Sequence, residues 1–205
     1  MTHHLRGVFL LALAVVLLAG ASLAAAEEAK VPPEAKPEFL VSEMRIQRLP
    51  GPTYLHAETE TTLAKIGQVA GETIPALRKA IADQNRVVMA HGGGNVYITG
   101  PLIFVYQGAT GEMDTPFKLC IGFAVAEGTK PLGVYKVKKL DDFRCATVLF
   151  SGPMAKVGEA YGKLFPALTA AGHTPTGETR EYYLYWESDK SPNNILLIQA
   201  GIKGP

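Results

Sequence analysis

Ile66-Gly67-Gln68-Val69-Ala70-Gly71-Glu72-Thr73-Ile74-Pro75-Ala76-Leu77 returns further along the chain as Val157-Gly158-Glu159-Ala160-Tyr161-Gly162-Lys163-Leu164-Phe165-Pro166-Ala167-Leu168. Gly, Gly and Pro-Ala-Leu recur in register, and in both copies the apolar residues fall three or four apart, the spacing of one helix face. A glycine in a helix interior costs about 1 kcal/mol and a proline about 3 kcal/mol relative to alanine. Two helices that tolerate the same costly residues at the same positions point to an internal duplication. The expected offset is close approach of each helix to a sheet along the small stripe that residues four apart create.

Working outward from the helices gives the repeated unit. The first helix is expected over Thr62 to Asp83, with Thr61 or Thr62 as cap, preceded by a strand over Phe39 to Leu49 and the turn Pro50-Gly51-Pro52. Leu102 to Gln107 and Phe117 to Val125 read as the strands that follow. Leu132 to Leu140 and Phe143 to Phe150 are extended, then come Ser151-Gly152-Pro153, the second helix, an aromatic strand at Gly177 to Glu187 and a last strand at Ile195 to Ile202. The expected fold is therefore α+β: duplicated strand-helix-strand-strand units, (βαββ)2, with pseudo-twofold symmetry, helices on one side and a ligand cleft on the other. The copies span about 39–126 and 132–202.

Residues 1–26 have the layout of a signal peptide, with Arg6, an apolar run from Gly7 to Gly20 and a small-residue cleavage site at Ala24-Ala25-Ala26. The apolar run is shorter than the ~20 residues that span a bilayer. The chain is thus expected to be exported, to the periplasm or beyond, with no membrane attachment after the segment is removed. Residues 27–38, rich in proline and charge, read as a flexible linker, leaving 39–205 as one domain. Of 20 Lys and Arg only Arg6 falls in the signal segment, so 19 basic residues face 19 acidic ones in the mature chain. That balance lacks the basic footprint of a nucleic-acid binder. Cys120 and Cys145, each in a strand-like apolar run, are either bridged in an oxidising compartment or separately buried. His56, His91 and His173 fall in apparent turns and loops without ligand spacing, so no metal site is expected.

The aromatic strand carries the chemistry. Alternation sends Glu181, Tyr183, Tyr185 and Glu187 to one face and Tyr182, Leu184 and Trp186 to the other. Trp186 is expected in the core and Tyr161, on the second helix, likewise. Aligning the copies sets Phe104 against Glu181 and Tyr106 against Tyr183. A carboxylate among aromatic rings suits a flat, partly cationic organic molecule.

Gly100-Pro101 through Tyr106, Gly158-Glu159-Ala160-Tyr161 with Leu164 and Leu168, and Gly177 to Leu184 resemble the GyrI-like small-molecule-binding family. The last of these is similar to that family's Gly-x-x-Arg-Glu-x-Tyr-Leu signature. The family also serves as the effector-binding domain of AraC-type and MerR-type activators. This chain departs from it in two ways: Ser151-Gly152-Pro153-Met154 lacks the usual His and Tyr, and a signal segment and linker stand where regulators carry a DNA-binding domain. The resemblance implies a cleft for amphipathic, aromatic or cationic ligands, with the acidic residue at Glu181 and its tyrosine at Tyr183. Glu181, Tyr183, Tyr106 and Phe104 are the expected ligand-binding residues, with no cofactor and a small molecule as partner. The alternatives are a hydrolase of reactive, cyclopropane-type compounds, with Glu181 as its general base, and a haem or tetrapyrrole carrier.

Overall fold

A computed structural model describes residues 38–91 and 93–203. The expected signal segment (1–26) and, apart from Glu38, the linker lie outside the described residues. The elements are β1 (Leu40–Val41), β2 (Arg45–Leu49), β3 (Thr53–Thr61), α1 (Ile66–His91), β4 (Ile98–Gln107), β5 (Phe117–Val125), β6 (Lys136–Lys139), β7 (Phe143–Ser151), α2 (Val157–Ala170), β8 (Pro175–Tyr185) and β9 (Ile195–Ile202). A short 3₁₀ turn leads into each helix, at Leu63–Lys65 and Met154–Lys156. Among the described residues no helix is long and apolar enough to cross a membrane.

The strands form one sheet in the order β1-β7-β9-β8-β4-β5-β3-β6, with β2 also on β7, and all pairs are antiparallel. If β3, β4 and β5 are equated with β7, β8 and β9, the order β7-β9-β8-β4-β5-β3 reads the same from either end. Its centre is the pair β4·β8. The expected first strand takes a different place: residues 40–49 form two short strands that pair with β7, across the sheet from β3. The strand that precedes α1 is β3, which the sequence hides because Tyr54, His56, Glu58 and Glu60 give its face little apolar character.

Both helices lie on one face of the sheet. Ala160, Leu164 and Leu168 of α2 are fully buried against Ala146, Val148 and Phe150 of β7 and Leu196, Ile198 and Ala200 of β9. α1 sets Ile74, Leu77 and Ile81 on Leu55, Phe123 and Val125, and Ile66, Val69 and Ala70 on Phe104, Tyr106, Leu119 and Ile121. The opposite face has its own cluster, Tyr54, Ile103, Val105, Cys120, Ala124 and Leu140, with Tyr182 packed against it; Arg180, opposite Val105 on the paired strand, sets its guanidinium 3.8 Å from the centre of the Phe143 ring. Both cysteines are buried and unbridged.

The helix glycines do not mediate close approach to the sheet. A Cβ built at Gly67, Gly71, Gly158 or Gly162 meets nothing within 4 Å, and all four are exposed. The proline supplies a better reason for half of them, because a proline ring in a helix presses on the carbonyl of residue i−4. That residue is Gly71 for Pro75 and Gly162 for Pro166, where the lack of a side chain lets the backbone give way. Gly67 has no such duty. Gly67→Ala is therefore expected to stabilise the fold by about 0.4 to 1 kcal/mol, read as a raised midpoint in urea. Thr62 precedes the first turn in an extended conformation, but its side chain makes no capping hydrogen bond.

Candidate functional site

The β4·β8 pair brings the expected residues together. Phe104 is opposite Glu181, as aligning the copies suggests, but the strands run antiparallel, so Tyr106 faces Thr179 and Tyr183 faces Leu102. Alternation places Phe104, Tyr106, Glu181 and Tyr183 on one face, and that face is the one the helices cover. The expected binding residues therefore lie on the helix-covered face and not on the side away from the helices: α1 packs toward β3 and β5 and α2 toward β7, and Glu181 sits on the floor between their territories. The reason is local, since Tyr161 of α2 reaches down to the Glu181 carboxylate.

Three phenols converge on that carboxylate. Tyr106 and Tyr183 donate to Oε2 at 2.8 and 2.9 Å, and Tyr161 donates to Oε1 at 2.7 Å. Phe104 closes the side, its ring 4.8 Å from that of Tyr183 and 6.2 Å from that of Tyr106. Glu181 is only 3% exposed. Burial pushes its carboxyl above the ordinary range, and the three hydroxyl donors pull back against that rise. Burial, reinforced by the neighbouring carboxylate, holds the three tyrosines well above the usual phenol range, so they stay protonated and remain donors. No cationic side chain is bonded to this carboxylate among the described residues.

Arg180, the obvious neighbour in sequence, turns to the other face, where its Nε donates to Glu178 at 2.8 Å and its Nη1 to the Asp141 carbonyl at 3.2 Å. The ion pair that proximity in sequence would suggest for Glu181 is prevented by the alternation of the strand. The site is thus an acid with hydrogen-bond donors and aromatic walls but no counter-charge, held shut by the phenols that satisfy it.

Tyr161 is the residue that the sequence reading misses. The helix spacing places it beside the buried stripe of Ala160, Leu164 and Leu168, so it reads as core, and only the tertiary reach of its side chain from α2 to β8 reveals the hydroxyl's target. Trp186 is corrected in the opposite sense: β8 ends at Tyr185, and Trp186, just past its end, is 52% exposed. Tyr185 and Glu187 bond each other at 2.7 Å outside the site. His56, expected in a turn, is buried in the middle of β3 on the helix-free face. Two open depressions lie elsewhere, one beside Gln84, Asn95 and Lys130 and a smaller one beside Lys138 and Arg180.

The fold is shared with solved structures of low sequence identity. The EcmrR C-terminal domain superimposes with a TM-score of 0.62 at 17% identity, covering 78% of this chain and 97% of that one. SAV2435, solved bound to tetraphenylphosphonium, gives 0.54 at 14% identity, over 80% and 95% of the two chains. A hydrolase from Listeria innocua gives 0.52 at 12% identity, over 78% and 92%. Comparison with curated proteins finds no match. The family model of the GyrI-like small molecule binding domain matches residues 42–199, from just after β1 through most of β9. With more than half of its length matched, and the fold to go with it, the chain belongs to the GyrI-like small-molecule-binding family.

Proposed function

We propose that the protein is an exported binder of small amphipathic organic molecules, above all lipophilic aromatic cations, which it holds over Glu181. The observation that carries this reading is the buried carboxylate with three phenol donors and no cation. Burying an ion without a counter-charge is costly, and an incoming organic cation supplies that charge while its apolar groups replace water against Phe104, Tyr106, Tyr161 and Tyr183. Entry requires the tyrosines to part, since Glu181 is closed off without a ligand. Tetraphenylphosphonium, the ligand of the structurally similar SAV2435, is a fitting probe. Export rests on the layout of residues 1–26.

Calorimetric titration with tetraphenylphosphonium tests the reading. One molecule is expected to bind per chain, and its affinity should strengthen as pH rises from mildly acidic to neutral. The sign follows from Glu181: burial raises its pKa above the ordinary carboxyl range and a cation favours the ionised form, so binding is linked to loss of a proton and tightens as pH rises through the raised value. No binding at neutral pH, or an affinity indifferent to pH across that window, would count against Glu181 as the cation's partner.

A second reading, hydrolysis, draws on the same carboxyl, raised above the ordinary range and placed beside three hydroxyls, as a proton-transfer group. Turnover of an electrophilic cyclopropane probe, lost in Glu181→Gln, distinguishes it from binding alone.

A further inference from the structure

On the face of the sheet away from Glu181, strand pairing assembles a cluster that the spacing of residues in the sequence does not reveal. His56 and Glu58, two apart on β3, share a face, and register sets Cys120 of β5 directly opposite Glu58. Gly122 lies opposite His56. One donor atom from each of His56, Glu58 and Cys120 lies within 4.8 Å of the other two. We propose that His56, Glu58 and Cys120 form a binding site for a thiophilic transition-metal ion of the Zn2+ class.

The donors are disposed for that role. The His56 ring stacks on Tyr54 with centroids 4.8 Å apart, and its Nδ1 lies 3.3 Å from the Tyr54 carbonyl oxygen. In the tautomer that donates this hydrogen bond, Nε2 carries the free lone pair, the arrangement by which a backbone carbonyl orients a metal-binding imidazole. The two oxygens of Glu58 are divided between different partners. Lys118 and Lys136 hold Oε1, at 2.9 and 3.4 Å, whereas Oε2 faces the Cys120 thiol at 3.9 Å. A metal ion would enter on the Oε2 side and replace the thiol proton: the S–H bond breaks, an S–metal bond forms and the proton leaves to solvent.

Nitrogen, sulfur and oxygen donors from three residues suit a tetrahedral borderline ion, with a fourth position left to water or a solute. Lys138, whose Nζ lies 4.0 Å from the Cys120 sulfur, and Lys136 must swing their long side chains outward to admit the ion. Both come from β6 at the sheet's edge, and the Lys136 side chain is 63% exposed. The cluster shares no residue with the Glu181 site, so a metal here and an organic cation there would bind independently.

Cobalt titration of the full chain under a non-thiol reductant, followed by Zn2+ displacement, tests the assignment. One Co2+ per chain is expected, with tetrahedral d–d bands and a thiolate-to-cobalt charge-transfer band. Cys120→Ser should abolish that band, while His56→Gln and the conservative Glu58→Gln should keep it and weaken binding by at least about tenfold. Glu58 is exposed, so its variant leaves folding least disturbed, and far-UV circular dichroism verifies each protein. The proposal is overturned by the absence of a charge-transfer band in the wild type. It is equally overturned by a band that survives Cys120→Ser, which would place the ligands at Cys145, or by Glu58→Gln binding as tightly as wild type.

Discussion

Glu181→Gln is expected to weaken tetraphenylphosphonium binding by at least about tenfold, some 1.4 kcal/mol, while leaving the melting temperature at pH 8 unchanged or higher. The two halves of this result have one cause. In the free protein the carboxylate is buried without a cation, and burial raises its pKa above the value it would have in the unfolded chain. A group whose pKa is raised on folding contributes stability that is fully present below the unfolded pKa, near 4.3 for glutamate, and is lost as pH rises through the folded value. Wild type should therefore lose stability relative to the glutamine variant as pH rises from the unfolded carboxyl's value, about 4.3, through the raised folded one. Glutamine keeps the shape and one acceptor oxygen, which can serve Tyr106 and Tyr183; its amide nitrogen then donates towards Tyr161, whose hydroxyl turns to accept, and the charge disappears. Thermal melts at pH 4.5 and pH 8, paired with calorimetry at pH 8, read both effects. A variant that melts clearly below wild type at pH 8 would mean that the ionised carboxylate stabilises the fold, and unchanged affinity would remove Glu181 from the cation's site.

Gly122→Ala should have the larger effect on the fold. A Cβ at this position lies 2.0 Å from the Leu55 carbonyl oxygen and 2.7 Å from the His56 Cα. These are backbone atoms of the paired strand, and neither can rotate out of the way. Overpacking of a core commonly costs about 1 to 3 kcal/mol, and an obstacle made of backbone in the middle of a sheet belongs at the upper end or beyond. For a domain of this size a loss of about 3 kcal/mol lowers the melting temperature by roughly 6 to 12 °C. Gly67→Ala, the same chemical change at an open helical position, should shift it the other way, so a pair of melts reads both signs. A Gly122→Ala protein that melts within a degree of wild type would mean that β3 and β5 separate more easily than their pairing suggests.

Much of the architecture is legible in the sequence because most elements bury an apolar stripe of the right period. β5 and β9 fall on the residues their apolar runs predict, and β7 is extended by one. α1 begins later than its pattern suggests and continues to His91, because residues such as Asn85 lend it tertiary support: that side chain bonds both the N–H and the carbonyl of Val96. β3 is missed because one of its faces is polar, and a polar face reads as turn when Pro52 and Thr62 flank it. The site is legible in part. Glu181, Tyr106, Tyr183 and Phe104 announce themselves by alternation and by the likeness of the two copies, whereas Tyr161 and the Cys120 cluster depend on which elements end up side by side. Periodicity reports the face a residue occupies, and topology alone reports its neighbours.

The displacement of residues 40–49 onto β7 covers one border of the sheet. A sheet of this length ends in two unpaired backbones, each a template for another chain. On one border β1 and β2, interrupted at Ser42, Glu43 and Met44, offer only short broken stretches beside β7. On the other, β6 is four residues long and three of them are lysine. Discontinuity guards one border and like charge the other, so a chain begun after Leu49 would expose the nine residues of β7 as an open invitation to fibrous self-association.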